Sequence, residues 1–103
     1  MIEHCVFCKL RADADPTELE AIFAGLKALC ADLPGALRFA SGPNRDYEGK
    51  SPDVPAGFVI TFETPAALAR YADHRIHKAL GARLCALCIG GAGGIVVYDL
   101  ETG

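Results

Sequence analysis

The sequence lacks any long hydrophobic run, since no stretch approaches the roughly 18 consecutive apolar residues of a membrane-spanning helix. It also lacks a basic run interleaved with aromatic residues, because its 10 Lys and Arg are scattered among 13 Asp and Glu and the net charge is −3. This balance argues against a nucleic-acid partner. The N-terminus carries Glu3 in a strand-like pattern instead of a basic start and an apolar signal core. We therefore expect a cytoplasmic protein that does not associate with membranes.

The cysteines lack the setting of a zinc site, although two Cys-x-x-Cys pairs are present, Cys5 with Cys8 and Cys85 with Cys88. Residues three apart on a strand point to opposite faces, so the first pair would need a turn that the intervening Val and Phe do not supply. Zinc knuckles usually carry glycine or polar residues around the pair, whereas these cysteines stand among apolar residues. Five is an odd number, and we expect reduced thiols that act as small apolar fillers and bind no metal.

The sequence does contain enough apolar residues, 51% of 103, for the core of one domain spanning residues 1–103. Alternating apolar patterns predict strands over residues 2–11, 36–41, 57–63 and 95–100. Helical spacing predicts one helix over residues 16–33, a second from residue 65 through Tyr71, and a further helical segment over about 75–88. Asp15 is the expected cap of the first helix, with Glu18 reaching back to it. The glycine-rich residues 90–94 lack the trailing Lys of a phosphate loop and are interpreted as a flexible connection.

The order of these elements, β-α-β-β-α-β, is typical of a ferredoxin-like α+β fold: a four-stranded antiparallel sheet with its helices on one face. Both faces of the strands nevertheless carry apolar residues, such as Cys5 and Phe7 on the first strand and Val59 on the third. A chain of this length has no further element to cover the second face. We therefore predict a homodimer that packs sheet against sheet.

The most informative segment is Tyr71-x-x-His74-x-x-His77, which would place a phenol and two imidazoles along one side of a continuous helix. His77 also begins an apolar stripe that continues through Leu80 and Leu84, so its ring is expected to point inward. Two interpretations stay open at this point. One is a core histidine that bonds a backbone carbonyl, and the other is an acid/base group at the floor of a pocket.

Three other residues are candidates for the same pocket. His4 shares a strand face with Val6 and Leu10, which is the expected helix side, so it would approach His77. His74 is a candidate for substrate contact, although it could instead cap a helix end. Tyr98 in the last strand is also a candidate for substrate contact, although it could instead pack in the sheet.

Several motifs together resemble the stress-responsive A/B barrel (Dabb) family of dimeric α+β barrel proteins. They run from one end of the chain to the other and comprise the opening Met1-Ile-Glu-His4-Cys-Val-Phe-Cys-Lys-Leu10, the Leu33-Pro-Gly35 turn, Gly42-Pro-Asn44, Thr61-Phe-Glu63, the Tyr71-His74-His77 spacing and Val96-Val-Tyr-Asp99. The resemblance implies a dimer whose two sheets form a barrel, with a pocket in each protomer between sheet and helices.

The resemblance also implies residue roles. A polyketide cyclase of this family uses a histidine and a tyrosine for an intramolecular aldol condensation, and these match His77 and Tyr71, while His4 matches a further pocket histidine. A neutral imidazole can remove a proton next to a carbonyl, and a phenol can bind the oxygen that gains negative charge. The chain departs from the family at Arg75, where a proline is usual, and without that proline the helix could run on unbroken.

Three functions follow as hypotheses. The first is a cofactor-independent enzyme that acts on a small apolar carbonyl compound through His77, Tyr71 and His4. The second is a non-catalytic module that binds a small ligand or protects under stress, and the third is a cofactor-less monooxygenase-like protein. Many members of this family have no assigned reaction, so membership alone assigns no activity.

Overall fold

The computed structural model describes all 103 residues and contains one antiparallel sheet of four strands. These are β1 (Ile2–Cys8), β2 (Ala36–Pro43), β3 (Ala56–Phe62) and β4 (Ile95–Glu101), in the spatial order β2-β3-β1-β4. With helices between β1 and β2 and between β3 and β4, this is the predicted ferredoxin-like α+β fold. The first strand ends at Cys8, before the predicted residue 11, and Leu10 keeps only an isolated bridge to Cys88.

The first helix, α1 (Pro16–Asp32), begins where the proline and its cap predict. The Asp15 carboxylate accepts a hydrogen bond from the Thr17 amide at 2.9 Å, which satisfies one free donor of the first turn. The expectation that Glu18 reaches back to this cap is wrong. Its carboxylate instead accepts two hydrogen bonds from the Arg83 guanidinium, at 2.6 and 2.9 Å, because a bidentate charged pair is stronger than a bond to one amide.

The two helical segments predicted from residue 65 through Tyr71 and over about 75–88 are present as two helices, α2 (Pro65–Asp73) and α3 (Arg75–Ala86). The break falls at His74, whose backbone is extended and whose Nδ1 accepts a hydrogen bond from the Ile76 amide at 3.1 Å. The alternative of one unbroken helix, which the missing proline at residue 75 left open, is therefore wrong. The break forms without a proline at residue 75 because the imidazole of His74 satisfies a free amide at the start of α3.

The core lies between the helices and one face of the sheet, which we call the inner face. The helix α1 packs against β2 and α3, and α2 packs against α3 and β3. Aromatic rings bridge the layers: Phe58 of β3 lies 5.4 Å from Phe23 and 5.5 Å from Phe39, measured between ring centroids. The fully buried aliphatic side chains Ile22 and Ile60 complete this layer. Burial of such side chains is the main force that stabilises the fold.

No element of the chain covers the opposite sheet face, which we call the outer face. It carries apolar side chains from the central and edge strands, namely Cys5, Phe7, Val59, Val96, Tyr98 and Leu100. Tyr98 is 57% exposed and Leu100 is 55% exposed. The apolar outer face predicted from the strand patterns is therefore present, and it is large for a surface that meets only water.

The glycine-rich connection before β4 is ordered into a turn of 3-10 helix, Gly91–Gly94, and it begins at Gly90 in the left-handed conformation. Such a backbone favours glycine because other residues clash there. Among the helices of the chain, none has both the length and the apolar character needed to cross a lipid bilayer.

The cap at His74 yields a prediction about stability. Asparagine is a good helix cap, whereas alanine has no side-chain acceptor, so His74→Ala should lower the free energy of unfolding by about 1 kcal/mol and His74→Asn should keep most of it. Urea unfolding monitored by circular dichroism measures both variants. Equal loss in the two variants would show that the imidazole contributes through contacts other than the cap.

Candidate functional site

Three aromatic side chains meet on the inner face near the start of β1, and we call His4, Tyr71 and His77 the ring cluster. The ring centroid of Tyr71 lies 4.3 Å from that of His77 and 5.8 Å from that of His4. The helix break at His74 produces this arrangement, because Tyr71 lies in the last turn of α2 and His77 lies in the first turn of α3. Phe62 of β3 forms the base of the cluster, 5.3 Å from the Tyr71 ring and 6.0 Å from the His4 ring.

Tyr71 is the buried centre of the cluster, with 1% of its surface exposed. Its phenol oxygen is buried and makes no hydrogen bond within the protein. Burial raises the pKa of Tyr71, with a smaller contribution from Cys30, so the hydroxyl keeps its proton at neutral pH. The side chain therefore offers a proton donor that no group of the chain uses.

His77 is held in one orientation by its own backbone. Its Nδ1 lies 3.0 Å from the Ala72 carbonyl oxygen. A carbonyl can only accept, so Nδ1–H is the donor and the neutral ring keeps a lone pair on Nε2. Burial lowers the pKa of His77, and the nearby His4, Lys78 and His74 act in the same direction, while the bond to Ala72 opposes them. The ring is therefore neutral at pH 7 and can accept a proton.

His4 is paired with a residue that the sequence analysis did not single out as functional. Its Nδ1 lies 2.6 Å from the Oδ1 atom of Asp99, directly across the β1–β4 pairing. The imidazole side chain is 12% exposed and the carboxylate 44% exposed, so the pair lies at the rim of the cluster. A carboxylate at Nδ1 fixes the orientation of the ring. Because β1 and β4 are neighbours in this fold, a contact between the two strands could be predicted from the sequence. The pairing register, which decides that Asp99 lies opposite His4, could not be predicted in the same way.

The two predicted substrate-contact residues, His74 and Tyr98, lie in different places relative to the ring cluster. His74 lies between Tyr71 and His77 in sequence, but its Nδ1 is occupied as the cap of α3. Tyr98 lies on the outer face, where its ring centroid is 6.2 Å from that of Phe7. Adjacent strand residues face opposite sides, so β4 brings Asp99 toward His4 and turns Tyr98 away.

Two sizeable cavities lie outside the ring cluster. The first, the outer cavity, has a volume of about 670 Å³ and lies on the outer face beside the β2–β3 loop, with Tyr98 in its lining. The second, the helix-side cavity, has about 540 Å³ and lies between α1 and β2, with Phe23, Phe39 and Lys27 in its lining. The helix-side cavity lies between a helix and the sheet, but neither cavity is lined by the three rings, so the predicted pocket at the ring cluster is neither of these two.

The cysteines are all free thiols. Cys5 and Cys8 point to opposite faces of β1, as the strand pattern predicts, and Cys8 is fully buried. Burial raises the pKa of Cys8 to about 12 and that of Cys30 to about 11, so both remain protonated and behave as apolar fillers. No three His, Cys, Asp or Glu side chains of the chain lie close enough together to hold a metal ion.

Comparison with solved structures supports the fold throughout the chain. A dimeric ferredoxin-like protein of unknown function from Jannaschia sp. CCS1 is 40% identical, with 98% of each chain covered and a TM-score of 0.94. The hydroxynitrile lyase from Passiflora edulis is 14% identical, with 99% of this chain and 93% of that chain covered and a TM-score of 0.81. SnoaB, a cofactor-independent oxygenase from Streptomyces nogalater, is 18% identical, with 98% and 91% covered and a TM-score of 0.76.

At 14% and 18% identity the two enzymes share only the fold with this chain. No curated protein matches the sequence. The model of the stress responsive A/B barrel domain, in contrast, matches residues 2–102, which is nearly the whole chain. The chain therefore belongs to the stress responsive A/B barrel domain (Dabb) family.

Proposed function

We propose that the chain is a cofactor-independent enzyme that removes a proton next to the carbonyl of a small, largely apolar compound, as a cyclase or an isomerase does. The observation that carries this proposal is the phenol of Tyr71, which is buried, protonated and without a hydrogen-bond partner between two imidazoles. A buried unpaired hydroxyl destabilises the protein by about 1–3 kcal/mol. A ligand oxygen that accepts the hydrogen bond of this hydroxyl would remove that cost and bind more tightly.

The proposed roles follow from the protonation states. His77 is the general base, because its Nε2 is free and its lowered pKa keeps the ring neutral. Tyr71 donates its hydrogen bond to the carbonyl oxygen, which gains negative charge as the proton leaves. His4, oriented by the carboxylate of Asp99, positions the substrate or the base. The proposal retains His74 as a substrate contact through its other ring nitrogen, Nε2.

The relatives in fold support this class of chemistry without specifying it. A hydroxynitrile lyase and a cofactor-independent oxygenase share the architecture, so the fold accommodates enzymes, one of which needs no cofactor. The mild net charge and the scattered lysines support the parallel proposal that the protein binds no nucleic acid. We also propose that it works in the cytoplasm and needs no cofactor.

A second candidate is a non-catalytic module that binds a small apolar ligand. One observation favours it: the helix-side cavity of about 540 Å³ is lined mainly by apolar residues and is not lined by the ring cluster. A monooxygenase-like activity is the third candidate, and oxygen uptake with quinol substrates would distinguish it from proton transfer.

The enzyme proposal predicts exchange of carbonyl-adjacent protons. In heavy water, the protein should accelerate the incorporation of deuterium into the methyl group of acetophenone. Proton NMR measures this rate. His77→Gln should lower the enzyme-dependent rate by about 10²–10⁴-fold, because it removes the base. Tyr71→Phe should lower it by about 10²–10³-fold and should leave the fold intact, since it removes a hydroxyl without a partner.

His74→Asn tests the proposed substrate contact in the same assay, because it keeps a cap and leaves the three rings in place. It should raise the substrate concentration for half-maximal rate if His74 contacts the substrate, with little effect on the maximal rate. A wild-type rate equal to that of buffer across small apolar methyl ketones would contradict the enzyme proposal and favour the binding module.

The pH dependence of the same exchange tests the identity of the base. Burial lowers the pKa of His77 below its ordinary value of 6.5, so the ring is neutral down to a lower pH than a free imidazole. The rate should therefore rise with pH, with its midpoint below 6.5, and should level off above it. Asp99→Asn should lower the plateau and leave this midpoint nearly unchanged, because the carboxylate acts on His4. A midpoint at or above 6.5 would rule out His77 as the base.

We also propose that two copies of this chain associate through the outer face. The apolar residues there support this, as does the dimeric state of the 40% identical Jannaschia protein. Six to eight such side chains, at roughly 1.5–3 kcal/mol each, contribute on the order of 10 kcal/mol before association costs. Sedimentation at micromolar concentration should give a dimer for the wild type and a monomer for Val59→Glu. Ile76→Glu, on an exposed helix position, is the control and should remain dimeric.

A further inference from the structure

The outer face carries one row with charges of both signs, near the start of β1. Arg38 on β2 pairs with Thr61 on β3, and Thr61 pairs with Glu3 on β1, so the three side chains lie next to one another across the sheet. Neighbouring strands lie about 4.8 Å apart, which places Arg38 and Glu3 roughly 10 Å from each other. The row therefore presents a cation and an anion with a hydroxyl between them.

The carboxylate of Glu3 has one oxygen in use and one without a partner. Its Oε1 accepts a hydrogen bond from the Thr61 hydroxyl at 2.9 Å. Its Oε2 is buried and makes no hydrogen bond within the chain. A second copy on the outer face would remove the remaining water from this charge, and a buried charge without a counter-ion strongly destabilises an interface. An interface that covers Glu3 therefore has to supply a donor for Oε2.

Arg38 is the free cation at this end of the outer face. Its side chain is exposed, and no carboxylate of the chain lies within 4 Å of its guanidinium. The two lysines of the outer cavity, Lys9 and Lys50, lie at the opposite end of β1, where Lys9 is already paired with Asp53 at 3.3 Å. A guanidinium also binds a carboxylate more strongly than a neutral donor does. Arg38 is therefore the donor that suits Glu3.

We propose that Glu3 and Arg38 form reciprocal ion pairs between two copies of the chain, each Glu3 carboxylate binding the partner's Arg38. This proposal rests on the proposed association through the outer face and is independent of the proposed reaction. A two-fold axis that runs between the two sheets, along the strands and near Thr61, exchanges the two positions, so each dimer contains the contact twice. Packed sheets lie about 10 Å apart, a gap that extended arginine and glutamate side chains span together.

The pair gives the outer face its preference for a second copy of the same chain. The apolar residues of this face favour association, but hydrophobic attraction has no direction and fits many orientations. A row that carries both signs is complementary to its own image under two-fold rotation, whereas a different apolar surface leaves both charges unpaired. The charges therefore favour one orientation of the two sheets and disfavour those that bring like charges together.

Charge-reversed variants test the pair, and native mass spectrometry identifies each dimer by its mass. Glu3→Arg brings two cations together in its own dimer and Arg38→Glu brings two anions together, so each alone should raise the dimer dissociation constant by about tenfold or more. When the two variants are mixed, opposite charges meet at both contacts. The heterodimer should therefore exceed its statistical proportion and dissociate like the wild-type dimer.

Glu20→Arg and Lys27→Glu are the matched controls, because they change exposed charges on α1, away from the outer face. Both should dimerise like the wild type, and neither should form excess heterodimer with the charge-reversed variant of opposite sign. Circular dichroism checks that every variant folds. If Glu3→Arg does not fold, Glu3→Gln and Arg38→Gln form a double-mutant cycle. The paired contact predicts a combined loss smaller than the sum of the single losses, and additive losses would contradict it.

The remaining outcomes separate the ion pair from the dimer. Single charge reversals that dimerise like the wild type would overturn the pair, while a monomeric Val59→Glu would still support association through the outer face. Weakened single variants whose mixture gives no excess heterodimer would overturn the pair as well. Recovery of the dimer in a chain that carries both reversals would then assign the contact to one subunit. A monomeric wild type would overturn both the pair and the dimer.

Discussion

The helices of this protein cover only one face of the sheet. Because of this constraint, each strand places its side chains in two different environments. The strand β1 runs between β3 and β4, so its alternate residues face opposite environments. His4 and Val6 turn toward the helices, while Cys5 and Phe7 turn toward the uncovered face. One short strand thus supplies both a titratable group beside the core and apolar area for association. The inner face holds the candidate chemistry, and the outer face presents a surface that water alone does not stabilise.

On the inner face, the hydroxyl of Tyr71 is a feature that packing does not explain. Phenylalanine would fill the space of the Tyr71 ring equally well and would avoid a buried hydroxyl without a partner, which is why the phenol is informative. The neighbouring groups are fixed in complementary ways. His77 is oriented by a carbonyl and remains neutral, while His4 is oriented by the Asp99 carboxylate. Two imidazoles with different partners beside one unused donor form an arrangement suited to moving a proton.

Much of the fold could be predicted from local patterns because the patterns are strong. The proline and cap at the start of α1, the alternation in β3 and the apolar stripe of α1 predict these elements and their buried sides. The errors concern choices between partners. Glu18 could bond its own helix start or the distant Arg83, and only the packing of α1 on α3 decides this. Likewise, the helix through Tyr71 and His77 could continue or break, and the side chain of His74 decides in favour of a break.

The sequence by itself determined the order of the elements, the two apolar sheet faces and the presence of His4, Tyr71 and His77 on the inner side, because these depend on periods of two and of about 3.6 residues that any reader of the chain can count. The tertiary structure alone decided that Asp99 meets His4 and that Tyr98 faces outward. Apolar residues occupy both registers of β4, so the alternation does not say which side is which. The register between β1 and β4 is a contact between residues 95 positions apart, and it is fixed only when the strands pair.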